Sequence, residues 1–142
     1  MKTPTLLVLF YLLINCTVTS QELLDIYLDN LKETLHSEAE ENDVNELLIL
    51  YDDEAVYEHP GIGMKIESKE SIKMGMLSFL ESYGGSSDDV EINKLQVILN
   101  NNVAVVKFEI RFLLKSGKKV ERTQLQVIEI SDGKISRILD YW

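Results

Sequence analysis

His59 is the residue in this sequence best suited to moving a proton. It closes the stretch Tyr51–Gly63, YDDEAVYEHPGIG, which reads as a helix end, a turn and a short strand running into a His-Pro pair and two glycines. Side chains alternate along a strand, so Ala55, Tyr57 and His59 share one face while Val56 and Glu58 point the other way. An imidazole titrates close to neutral pH, ordinarily near a pKa of about 6.5, and can serve as a general base or as a hydrogen-bond donor to a ligand. The plainer alternative is a partly buried histidine bonded to backbone. Gln124 and Gln126 share a face with Ile128 and Ile130. Buried amides need partners, so this pair either lines a wet or ligand-filled cavity or lies near its mouth in water. Tyr57, Phe108, Phe112 and Trp142 supply aromatic surface for the core or for a ligand wall.

Other chemistries find no support. Cys16 is the only cysteine, and it lies in a segment expected to be removed, which excludes thiolate nucleophiles, thiolate metal sites and redox chemistry from the mature domain. The two histidines lack zinc-ligand spacing, and the acidic run Glu38–Glu41 reads as a solvated helix end rather than a calcium loop. There is no phosphate-cradling glycine loop and no serine-nucleophile elbow. Neither a metal nor a cofactor is expected. The net charge of −10 repels phosphate backbones and anionic lipid heads, which argues against nucleic acid and membrane surfaces as partners.

The elements that must position these residues follow from the patterning. Residues 1–20 have the form of a targeting segment: Lys2, an apolar run from Leu6 to Ile14, then Val18 and Ser20 as a small-residue cleavage pattern. The expected cut after Ser20 leaves a secreted domain, 21–142, with no membrane attachment; a lipid anchor at Cys16 or a retained membrane anchor are the rivals. Leu24, Leu28, Leu31 and Leu35, with Tyr27 alongside, predict an amphipathic helix over Glu22–Glu40. Asp43 and Glu46 have capping-box spacing for a short second helix, and Asp52 and Asp53 are expected as turn residues. Ser68 begins a third helix reaching about Tyr83, with Ile72, Met76, Phe79 and Leu80 inward. From Val90 the period changes to two. Four strands are predicted, Val90–Leu99, Val103–Leu114, Lys118–Ile130 and Lys134–Trp142, joined by hairpin turns.

Helices followed by an antiparallel meander make an α+β domain, in which a strongly twisted sheet curls around its helices and leaves a cone with an open mouth. A cystatin-like sheet with a single helix is the alternative, and three separate helices argue against it. On the sheet's other face Thr123, Leu125 and Val127 form a row that wants a partner, read as the contact of a homodimer.

Leu50–Pro60, LYDDEAVYEHP, resembles the "LYADDAVFEDP" entrance of the nuclear transport factor 2-like superfamily. Asp132–Ile135 with Asp140–Trp142 resembles the "DGKI…DYW" ending of its SnoaL-like branch. The resemblance spans the mature chain in element order. It implies a cone-shaped α+β barrel, frequent dimers, and a range of activities from ketosteroid isomerase, polyketide cyclase and dehydratase to binding domains without catalysis. In the isomerase pattern the residue before the strand's proline is the aspartate that moves the proton, and here it is His59. The resemblance makes Asp140 its carboxylate partner. The isomerase's oxyanion donors, a first-helix tyrosine and a carboxylic acid on the third sheet strand, are not matched, because Leu35 or His36 and Gln124 or Leu125 fall there. The expected function is therefore a pocket for a small hydrophobic molecule. An isomerase, cyclase or dehydratase using His59 and a dimeric scaffold binding through its sheet face are the alternatives.

Overall fold

A computed structural model describes residues 18–85 and 88–142; the expected targeting segment lies, up to Thr17, outside the described residues. The order is α1 (Ser20–Glu33), α2 (Glu41–Leu48), β1 (Tyr51–His59), a 3-10 turn (Pro60–Ile62), β2 (Met64–Glu67), α3 (Lys69–Ser82), β3 (Glu91–Asn100), β4 (Val103–Leu113), β5 (Lys119–Ser131) and β6 (Lys134–Tyr141). The six strands form one open, curved sheet in the order β2-β1-β6-β5-β4-β3, with helices against its concave face. This is the expected α+β architecture. The sheet is mixed rather than wholly antiparallel, because β1 lies parallel to β6 and carries β2 at the edge.

Three local expectations are corrected. The first helix stops at Glu33 instead of running to Glu40. There the Thr34 hydroxyl donates to the Leu31 carbonyl at 2.7 Å, and the following carbonyls of Leu35 and His36 lie so close to Gly85 that a Cβ on it would sit 1.9 Å from the Leu35 oxygen. Tertiary packing thus overrides good helix formers. The second helix begins two residues before Asp43, which acts instead from inside the first turn, accepting the Glu40 N–H at 2.7 Å. Asp52 and Asp53 lie within β1, not before it. The β1–β6 register jumps from Tyr51↔Ile135 to Val56↔Arg137, so the exposed segment Asp52–Glu54 bulges out between the paired ends.

The strand pattern from Val90 onward is as expected. Ala104, Val106, Phe108, Ile110 and Phe112 of β4 are buried on the concave side, against Leu23, Leu24 and Leu28 of α1 and Val44, Leu47 and Leu48 of α2. Each of these side chains larger than alanine contributes roughly 1.5–3 kcal/mol by leaving water. Asp132 and Gly133 both take positive φ, 49° and 73°, as a two-residue hairpin turn between right-twisted strands requires. No described helix is long and apolar enough to cross a membrane.

Candidate functional site

The helices do not fill the cone. A cavity of about 620 Å³ remains between α1, α3 and the concave face of the sheet. Apolar side chains make most of its wall, among them Leu31, Ile72, Met76, Phe79, Leu80 and Phe112. Gly75 leaves space on the α3 side, where a Cβ would meet only Ile66, at 3.8 Å.

Polar groups gather on one side. Period-two alternation brings Arg122, Gln124 and Gln126 of β5 to the concave face. The antiparallel register sets Gln126 opposite Asp140 of β6, and the parallel register sets Tyr57 beside Ile138. Asp140 is only 2% exposed. The Tyr57 hydroxyl donates to its Oδ2 at 2.6 Å, and the Gln124 amide donates to Oδ2 at 3.1 Å and Oδ1 at 3.3 Å. Two neutral donors thus hold a buried carboxylate that no described cation approaches within ion-pair distance. Next to it, the Tyr27 hydroxyl of α1 donates to Gln126 Oε1 at 3.0 Å, and the Tyr51 ring lies 6.5 Å from that of Tyr27. Burial pushes the phenols of Tyr27, Tyr51 and Tyr57 well above their ordinary range, and the Asp140 charge pushes each further the same way.

Of the side chains expected in the site, Asp140, Tyr57, Gln124, Gln126 and Phe112 line the cavity together. Three do not. His59 is buried on the predicted face of β1 but lies outside the cavity wall, its ring edge-on to Trp142 with centroids 4.4 Å apart. Neither of its nitrogens has a partner among the described residues, and Gly61 lies so close that a Cβ on it would be 3.3 Å from the imidazole. Phe108 is wholly buried in the core, and Trp142, 55% exposed, closes over His59 on one side and under Arg122 on the other. The expectation that His59 faces the cavity is corrected by depth: it has the right parity, one step past the wall. Thr123, Leu125 and Val127 lie on the convex face, Thr123 and Leu125 exposed and Val127 half-buried.

Three contributors escaped the sequence analysis. Tyr27 reads as part of the apolar stripe of α1, and neither Tyr51 nor Arg122 stands out by pattern. A hydroxyl on the first helix therefore does reach the cavity, from Tyr27 rather than from the position of Leu35 or His36. The signal for Arg122 was its parity with Gln124. Among the described residues no group of three or more His, Cys, Asp or Glu side chains is arranged to hold a metal.

The family model of the SnoaL-like domain matches residues 33–138. Solved structures share the fold. One is a protein from Catenulispora acidiphila with a ketosteroid isomerase-like fold, in complex with trimethylamine (TM-score 0.65, 13% identity, 87% of each chain covered). Another is an LEH-like epoxide hydrolase from M. tuberculosis (TM-score 0.65, 16% identity, 84% of this chain and 78% of the other). A third is an NTF2-like protein of unknown function from Cytophaga hutchinsonii (TM-score 0.60, 13% identity, 84% and 95%). No curated protein matches the chain.

The buried phenols make a measurable difference to alkaline behaviour. Their folded pKa values are raised, so the neutral form favoured by the fold is also the unfolded form below pH of about 10, and stability is undiminished there. Above that pH the unfolded chain loses phenolic protons that the folded chain keeps. Stability should then fall by about 1.4 kcal/mol per pH unit for each of Tyr27, Tyr51 and Tyr57. Phenolate absorbance followed through an alkaline titration should show these three ionising only as the protein unfolds; all phenols titrating near pH 10 in the folded state would contradict their burial.

Proposed function

The chain belongs to the SnoaL-like domain family, and from that premise we propose that its cavity receives one small, mostly apolar molecule. The observation that carries this reading is the asymmetry of the cavity: apolar walls with one fixed polar cluster of Asp140, Tyr57 and Gln124. Cavities of this size with a few convergent polar groups suit small molecules, the walls giving affinity and the polar groups orientation.

The convex face supports pairing with a second copy. Ile98, Val105, Val127 and Leu139 lie in register across β3, β4, β5 and β6, and Leu125 and Tyr141 form the next rung. Acids near this row are partly offset by bases: Arg111 meets Glu91, Glu109 and Glu121, Lys119 also meets Glu121, and Arg137 meets Glu58 and Glu129. Two acidic chains can therefore approach here with less repulsion than their net charge implies. Export is proposed on the targeting pattern. A cut after Ser20 removes Thr19, whose side chain caps α1, at a cost of about 1 kcal/mol.

Native mass spectrometry of the protein from its own source reads all three at once. The expected species is a dimer of chains beginning at Gln21, each holding one small molecule. In Gly75→Leu the side chain enters the cavity while helix propensity improves by about 0.5–1 kcal/mol, so the small molecule should be lost with stability kept. A wild-type chain that stays empty, even when offered the neutral probe 2-(2-naphthyl)ethanol, rules out the cavity reading. A wild-type monomer rules out the pairing, and an N-terminus at Met1 the export.

Turnover is the second reading, favoured by one observation: a carboxylate, fixed by two donors, borders the space a ligand would occupy. In an isomerase, cyclase or dehydratase reaction the proton would pass to Asp140 and not to His59. Asp140→Asn should lower the rate about 100-fold or more while ligand still binds. An unchanged rate would remove Asp140 from the chemistry.

A further inference from the structure

The cavity wall contains two charged side chains, and they are treated differently. Asp140 has donors on both oxygens. Arg122, on the neighbouring strand, has no acceptor among the described residues. No carboxylate lies within ion-pair distance of its guanidinium, it donates no hydrogen bond among the described residues, and its Nε is buried and unpartnered. Trp142 lies against it, with the guanidinium carbon 4.3 Å from the ring centroid. The other arginines of the sheet differ. Arg111 reaches three carboxylates, and Arg137, though its Nε is also unpartnered, holds Glu58 through a terminal nitrogen at 3.0 Å. In a chain of net charge −10, a half-buried arginine with no acid at ion-pair distance among the described residues is the exception.

A guanidinium partly withdrawn from water without an anion is unfavourable, and its fork of donors matches a carboxylate in two parallel hydrogen bonds. We infer that the molecule taken by the cavity carries a carboxylate, which pairs with Arg122 while its apolar body lies along the Phe79 and Phe112 walls. This rests on the cavity reading above and adds the chemical class of the ligand. An ammonium head on Asp140 is the opposite arrangement, but that carboxylate already has the Tyr57 and Gln124 donors, whereas Arg122 has no acceptor among the described residues. Burial pulls the Arg122 pKa down while Asp140 and Tyr57 pull it up, and a guanidinium stays charged throughout the range in which proteins are handled.

Three probes with one apolar body separate the possibilities: 2-naphthylacetate, 2-(2-naphthyl)ethanol and 2-(2-naphthyl)ethylammonium, each titrated calorimetrically into the wild-type protein at pH 7. The acetate should bind about tenfold to a hundredfold more tightly than the alcohol. Arg122→Met, which keeps the apolar stem, should bring acetate and alcohol to within about twofold of each other, the alcohol's own affinity showing that the variant is folded. Arg122→Lys should keep part of the preference, because the charge remains and the fork is lost. An alcohol or ammonium probe that binds as tightly as the acetate overturns the inference and leaves the cavity reading standing. So does an acetate preference that survives in Arg122→Met. Failure of all three probes overturns both. The wild-type comparison alone decides if the variants do not fold.

Discussion

A buried carboxylate held by two neutral donors is the constraint on which the concave face depends. Removing a charge from water costs several kcal/mol unless hydrogen bonds replace the lost solvation. Asp140 meets that demand only if β5, β6 and β1 keep one particular register, because Gln124 and Tyr57 come from the strands on either side of it. A slip of β6 by one residue would bring Leu139 inward and turn Asp140 to the convex face, stranding both donors. The polar cluster therefore costs nothing in specificity and selects the pairing, while the apolar residues around it drive collapse without choosing among registers.

The same three strands divide the protein's charge between two faces. On the convex side bases partly offset the acids, and an apolar row runs between them across four strands. On the concave side Asp140 and Arg122 stand on adjacent strands without forming an ion pair, one satisfied internally and one not. Within the cavity, then, the electrostatic demand left over is for an anion, although the chain as a whole is strongly anionic. Trp142 connects the two regions, its ring lying between the Arg122 guanidinium and the His59 imidazole.

Much of this was legible beforehand, for reasons that differ by residue. β4 reads VAVVKFEIRFL, and its alternation alone places Val106, Phe108, Ile110 and Phe112 on one face. Gln124 and Gln126 stood out because amides on an apolar face need partners. Asp140 was reached through the family ending, not through periodicity. Parity along β1 was right for Tyr57 and His59, but parity carries no information about depth, and β1 carries His59 past the cavity to where the last strand closes over it. Tyr27 was missed because a tyrosine on an apolar helix stripe looks like core until the position of its hydroxyl is known. The parallel pairing of β1 with β6 joins residues about 80 positions apart, and no local pattern encodes it.

The most direct test is a double-mutant cycle on Tyr57 and Asp140, using Tyr57→Phe, Asp140→Asn and the double variant, with stability measured by urea unfolding. If the phenol is a principal support of the buried carboxylate, the cycle should give a coupling of about 1.5–3 kcal/mol. Strictly additive losses would mean that Tyr57 does not hold Asp140, and the account of the cavity as a site built around that carboxylate would fail.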